Sequence, residues 1–274
     1  MSRLRLAILD LYNGIPNQGM RCILELVEQF ADVLDYEVFD VRAKHEVPDL
    51  SFDIYISSGG PGDPREGDGV WEPLWGQWFD AVREHNAHSA NRKFIFFICH
   101  SFQMAVHHLG MAEVTQRRSL SFGTFPMHIT QSGAADPIFA GLPDPFTAAD
   151  FRRYQVVQPR AERMQELGAT ILAIEKDRPH VDLERATMAI RWTPEIVGTQ
   201  FHPEADAEGM LQHFSRPDIK AEVIAEHGRE KWINLITDLS DVSKIARTHD
   251  TVIPSFLRRA IAVLSPEAEV AGRL

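Results

Sequence analysis

The chain has 274 residues, 44% hydrophobic and 24% charged, the profile of an ordinary globular domain with enough length to bury a sizeable core. A formal net charge of −11 argues against a nucleic-acid surface or an anionic membrane as partner, because both demand a basic patch. Two cysteines, Cys22 and Cys99, argue against a disulfide framework and for a reducing cytoplasm; MSRLRLAILD is too short an apolar run for a signal peptide, and no stretch approaches membrane-spanning length.

Leu4 to Leu9 reads as a first buried strand ending at Asp10. Leu11 to Gly19, with Asn13-Gly14, Pro16 and Asn17, is a loop. Helical spacing follows at Cys22, Ile23, Leu26, Val27 and Phe30, which puts Cys22 on an apolar helix face as plain core. A second strand is expected near Tyr36 to Val41 and a third at Phe52 to Ile56. The third runs into Ser57-Ser58-Gly59-Gly60-Pro61-Gly62, a tight turn with exposed backbone whose N–H groups no side chain screens. Such a loop can face an anion or oxyanion, or simply connect a strand to a helix. From Trp71 the chain turns helical, and Trp71, Trp75 and Trp78 share one face, packed on the domain body or, alternatively, serving as a lid or partner surface.

The stretch KFIFFICHSFQMAVHHL, residues 93–109, organises the rest. Phe94 to Ile98 is an unbroken apolar run, and Phe102, Ala105, Val106 and Leu109 then recur at helical spacing. A buried parallel strand turning sharply into a helix fits, because the first half has no polar face. Cys99 sits on that turn, where amide N–H groups and the helix dipole favour a thiolate. A lone cysteine beside phenylalanines can equally be a small core residue. Glu113 to Thr130 suggests two strands joined near Ser119 to Gly123. Further strands are expected at Phe151 to Gln158, Ala169 to Ile174, Ala186 to Trp192 and Ile196 to Gln200, with turns at Asp177 to Glu184 and Thr193-Pro194. This late run suggests an antiparallel extension of the sheet. From Glu204 onward the chain is helical, roughly 205–214, 218–227, 229–246 and 252–264, a cap that could serve as an oligomer or partner surface.

In Gly198-Thr199-Gln200-Phe201-His202-Pro203-Glu204, a histidine and a carboxylate two residues apart at a strand end point to the same side. That spacing suits an imidazole that deprotonates a nucleophile while the carboxylate fixes its tautomer. A strand ending in Gly-Gly-Pro-Gly, a strand–Cys–helix elbow and a strand ending in His-x-Glu, in that order, together resemble the class I (triad) glutamine amidotransferase family over about residues 50–205. The family's elbow reads roughly Gly-x-Cys-x-Gly-x-Gln; Phe97-Ile98-Cys99-His100-Ser101-Phe102-Gln103 keeps the cysteine and the glutamine and lacks both glycines.

The resemblance implies an α/β three-layer sandwich, flavodoxin-like, with a mostly parallel central sheet, an antiparallel extension and a C-terminal helical cap. With the change to helical character after Glu204, the chain is expected to comprise an amidotransferase-like domain over 1–204 and a helical extension over 205–274 packed on it. The resemblance makes Cys99 the nucleophile on a glutamine side-chain amide, His202 the base and Glu204 its orienting partner. The amides of Gly60 and His100 would form the oxyanion hole, worth roughly 3 kcal/mol per donor. Gly59, Gln103, Tyr154 and Gln155 would hold the substrate. A cationic His100 beside Cys99 could favour its thiolate.

No cofactor is implied, and the histidines, His107-His108 included, lack metal-ligand spacing. No Gly-x-x-x-x-Gly-Lys-Ser/Thr pattern occurs, so ammonia would be released or passed to a synthase on a separate polypeptide. Two other readings stay open: a γ-glutamyl peptide hydrolase using the same triad, its pocket widened by the changed elbow or by the Asp63 to Trp78 insertion, and a catalytically silent binding module.

Overall fold

The computed structural model describes residues 3–178, 184–241 and 243–265. Nine strands form one mixed sheet in the order β2-β1-β3-β4-β9-β8-β7-β5-β6, with helices on both faces. The parallel half comprises β1 (Leu4–Asp10), β2 (Leu34–Asp40), β3 (Ile54–Ser57), β4 (Phe94–Ile98) and β9 (Ile196–Thr199). The antiparallel half comprises β5 (Glu113–Ile129), β6 (Phe146–Val157), β7 (Thr170–Glu175) and β8 (Thr187–Arg191).

Period-two alternation decides which face each residue buries. Leu6, Ile8, Ile54, Ile56, Phe94, Phe96 and Ile98 meet α1 (Gln18–Glu28) and α9 (Ser243–Leu264) on one face. Ala7, Leu9, Tyr55, Ile95 and Phe97 meet α2 (Trp71–His88) and α3 (His100–His108) on the other. This two-sided burial is why β4 carries no polar residue. Trp71, Trp75 and Trp78 are all buried on the second face, and Trp75 Nε1 donates to Ser57 Oγ at 3.2 Å. The three tryptophans pack on the domain body.

Several boundaries differ from the sequence expectation, and the strand expected from Phe151 begins at Phe146. Residues 113–129 form one strand instead of two. The polar stretch between Gln116 and Ser121 is a register shift, and β6 pairs with the strand on both sides of it. In the C-terminal region the expected helix over 229–246 ends earlier: α8 spans Arg229–Ser240 and α9 begins at Ser243. Asp241 Oδ1 accepts from the Ser243 backbone N–H and hydroxyl at 3.2 and 2.6 Å, which starts a new helix there. α9 then runs through the polar 247–251 stretch, Thr248 Oγ1 donating to Thr147 O at 2.7 Å. The expected turn at 177–184 lies largely outside the described residues.

The C-terminal helices divide by role. α9 belongs to a helical layer, with the Phe256 ring centroid 6.4 Å from Phe94 and 5.2 Å from Phe96. Three others, α6 (Ala207–Ser215), α7 (Pro217–His227) and α8, cap the β5/β6 end through Met210, Leu235 and Leu239 against Ala149, Phe122 and Phe151. Two short helices, α4 (Gln131–Ala134) and α5 (Ala161–Leu167), connect strands of the antiparallel half. Among the described residues no helix is long and apolar enough to cross a membrane.

One glycine answers for a phenylalanine. Gly198 pairs with Phe97 in register, and a Cβ on Gly198 would lie 2.8 Å from both Phe97 Cβ and Phe97 O. A backbone oxygen cannot yield as a side-chain tip can, so Gly198→Ala forces β4 and β9 apart. We expect a loss of about 2 kcal/mol in urea-denaturation stability, with the slope of the transition preserved.

Candidate active site

Three strand ends meet at the carboxyl edge of the parallel half, the edge where open α/β sheets bind ligands. β4 ends at Ile98, and Cys99 follows with φ 46° and ψ −94° before α3 begins. A side chain in that region costs about 1–3 kcal/mol and persists only where its surroundings enforce it. They do: Cys99 N–H donates to Thr199 O at 2.7 Å, Ile98 N–H to Ser101 Oγ at 3.0 Å, and Ser101 Oγ to Ser57 O at 2.6 Å. Ser101, standing where the family pattern has glycine, clamps the elbow to the end of β3. The other missing glycine is met by Phe97 lying within β4 opposite Gly198.

The Ser57 to Gly62 loop is pinned to β1. Ser58 N–H donates to Leu9 O at 3.0 Å, and Leu11 N–H donates to Ser58 Oγ at 2.9 Å. A Cβ on Gly60 would meet Leu11 O at 2.7 Å, and one on Gly59 would meet Tyr12 Oη at 2.8 Å and His202 Cε1 at 3.0 Å. Both glycines therefore permit close approach. The amides of Gly60 and His100 have no protein acceptor among the described residues.

His202 follows β9, its backbone N–H donating to Ala149 O at 2.9 Å. Its Nδ1 lies 2.7 Å from Glu204 Oε1, which fixes the tautomer and leaves Nε2 to accept a proton. Glu204 is 1% exposed and its Oε2 has no hydrogen-bond partner among the described residues. His249 of α9 donates from Nδ1 to Glu204 O at 2.9 Å, tying this turn to the helical layer. Burial alone would lower the His202 pKa; the charges of Glu204 and then Cys99 outweigh it and hold the imidazole well above its ordinary value. Cys99, His202 and Glu204 line one cavity of about 480 Å³, and Cys99 acts on the His202 ring by its charge and as a hydrogen-bond partner. A thiol beside an imidazole held by a carboxylate is the arrangement of an activated sulfur nucleophile.

The remaining expected residues lie elsewhere. His100 is buried and its pKa is pushed down to about 3 by burial and then by Arg42, so it is neutral and cannot aid a thiolate as a cation. Arg42 Nη2 lies 2.5 Å from His100 Nε2, and Nη1 donates to Pro61 O at 2.7 Å. Gln103 is 3% exposed and donates from Nε2 to Tyr154 O and to Gln200 Oε1, both at 3.1 Å. Gln155 Oε1 accepts from Arg117 at 2.9 Å, and the Tyr154 ring lies beneath Arg65. None of Gln103, Tyr154 or Gln155 lines the cavity holding Cys99.

Sequence reasoning missed three contributors. Tyr12, just past the end of β1, lines the cavity; burial and then Glu204 and Cys99 push its pKa well up. Its place after a strand's carboxyl end was the available signal. Cys22 is more than core: it lines the cavity and donates from Sγ to Asp206 Oδ2 at 3.2 Å, its pKa raised to about 12 chiefly by burial. The cavity's far wall comes from α6, and neither the elbow nor the Asp63 to Trp78 segment widens it, apart from Cys99 itself.

The family model for glutamine amidotransferase class-I matches residues 8–221. A glutamine amidotransferase from Thermotoga maritima superposes with a TM-score of 0.68 at 17% identity, covering 95% of this chain and 99% of that one. A glutamine amidotransferase from Methylobacillus flagellatus gives 0.66 at 16% identity, covering 96% and 95%. The glutaminase domain of Trypanosoma brucei CTPS, with bound acivicin, gives 0.55 at 18% identity, covering 73% of this chain and 86% of that one. No curated protein sequence gives a significant match. At these identities the solved structures speak to the fold, and the family model, spanning most of the chain, speaks to descent: the chain belongs to the class I glutamine amidotransferase family.

Proposed function

We propose that the protein hydrolyses a γ-glutamyl amide, glutamine in the simplest case, to glutamate and an amine through a thioester on Cys99. The observation that carries this reading is a cysteine forced to positive φ at a strand–helix elbow, sharing one cavity with a His–Glu pair. His202 takes the thiol proton, the thiolate attacks the amide carbon, and His202 returns the proton to the departing nitrogen. Water then attacks the thioester, His202 accepting its proton, and thiolate is regenerated. Glu204 holds the imidazole in the productive tautomer and offsets its charge. The amides of Gly60 and His100, without protein acceptors among the described residues, serve the oxygen on which charge develops.

Arg42 acts behind that hole. Its guanidinium, stacked 4.4 Å above the Trp71 ring, joins the side chain after the nucleophile to the carbonyl after Gly60. One side chain thus sets the spacing of both donors. Arg42→Gln should lower kcat for glutamine by about 10- to 100-fold with little change in KM, read from steady-state glutamate release. A parallel rise in KM would mean that Arg42 shapes substrate binding instead.

Ammonia set free here is released or passed to a synthase on another polypeptide, and a second copy of this chain is a further candidate partner. The test is release of glutamate and ammonia from L-glutamine by the purified protein. Turnover supports the reading; a protein inert to every γ-glutamyl compound, with Cys99 untouched by a glutamine-like chloroketone, would favour the silent binding module.

A further inference from the structure

The cavity at Cys99 takes in the acyl centre at Gly60 and Cys99 and extends past His202, with more room there than ammonia needs. Ammonia occupies about the volume of a water molecule, roughly 30 Å³, whereas the cavity measures about 480 Å³. Its lining is mostly apolar, with Pro16, Phe151, and Met210 and Phe214 of α6, and with the exposed Ile15. Phe151 lies against the proton-carrying ring, its centroid 6.3 Å from that of His202, and stacks on Phe214 at 5.6 Å. The space therefore opens on the side of the imidazole, which is where a leaving amine must sit to receive its proton. Gln103, Tyr154 and Gln155, expected to hold the substrate, lie outside it.

The cap supplies one wall of this cavity through α6. Arg21 and Asp206 pair between α1 and the start of α6, and Asp206 also caps α6 through Gly209 N–H. The lining holds no lysine or arginine, and its one carboxylate, Glu204, meets His202 through Oε1. A leaving group bearing a carboxylate, such as the amino acid of a γ-glutamyl dipeptide, finds no lysine or arginine there.

We infer that the preferred substrate is a γ-glutamyl amide of a bulky apolar amine, whose hydrocarbon portion packs against Phe151, Met210 and Phe214. The inference rests on the hydrolase reading above and names the substrate class of that site. The chemistry balances as γ-glutamyl-NH-R plus water giving glutamate plus R-NH2. The C–S bond to Cys99 forms as the C–N bond breaks, with the proton passing from His202 to nitrogen, and water then cleaves the thioester.

The test compares kcat/KM for γ-glutamylbenzylamide, L-glutamine and γ-glutamylglycine by glutamate release, using the full-length protein. We expect benzylamide to exceed glutamine by at least about 30-fold, with γ-glutamylglycine below both. Met210→Trp, which fills the chamber, should lower the benzylamide-to-glutamine ratio at least about 10-fold. If that variant fails to fold by circular dichroism, Phe214→Ala, which removes one wall, reads the same ratio in the same direction. Glutamine cleaved as well as or better than benzylamide overturns this inference and leaves the hydrolase reading standing. No turnover of any of the three, with Cys99 unmodified by a glutamine-like chloroketone, overturns both.

Discussion

Cys99→Ala should reduce glutamate release from glutamine by at least about 10⁴-fold, to the assay background, in a protein that still folds. The two parts of this expectation have separate grounds. Only the sulfur can form the thioester, so no neighbouring group substitutes for it; Cys22 is buried, donates to Asp206 and has its pKa raised to about 12. The fold survives because the backbone around position 99 is held by Thr199 O, Ser101 and Ser57 rather than by the thiol. Glutamate release and urea denaturation measured on one preparation check both. Residual activity above about one per cent, with intact folding, would remove Cys99 from the mechanism.

Glu204→Gln should cost about 10³-fold in kcat, second only to the nucleophile, from a change of one atom. An amide can present either oxygen or NH2 to His202 Nδ1, so the tautomer is no longer fixed, and the charge that offsets an imidazolium is gone. The same substitution has a pH signature in stability. The folded-state pKa of His202 is raised above the ordinary 6.5, burial opposing and Glu204 then Cys99 prevailing. A group whose pKa rises on folding stabilises the protein fully below its unfolded pKa and loses that contribution as pH climbs through the folded value. The stability difference between the native chain and Glu204→Gln should therefore be largest near pH 6 and shrink as pH rises above 6.5. Thermal melts across that range read it. A difference that grows with pH would reverse the assigned role of Glu204.

What the sequence disclosed followed from local rules. The Phe94 to Ile98 run announced a strand buried on both faces, and the apolar spacing after Cys99 announced its helix, so the elbow was legible to within a residue. The order of the three strand-end stretches led to the family. What stayed hidden depends on register and long-range packing. Phe97 at a glycine position looked like a liability until β4 and β9 were paired and Gly198 stood opposite it. The shift between Gln116 and Ser121 read as a turn because polar residues interrupt alternation in both cases. Arg42 carries no local signal: its significance lies in reaching Pro61 and His100, residues distant in sequence. The same is true of the chamber, whose walls come from residues 12–22, 60–61, 151 and 202–214.

The central claim is a covalent acyl-enzyme at residue 99, and mass spectrometry of acid-quenched protein tests it most directly. After brief incubation with glutamine or γ-glutamylbenzylamide, the peptide containing Cys99 should carry a γ-glutamyl group, the peptide containing Cys22 none, and Cys99→Ala no adduct at all. Glutamate formed at an undiminished rate in Cys99→Ala, or an acyl group found on any other residue, would contradict the account.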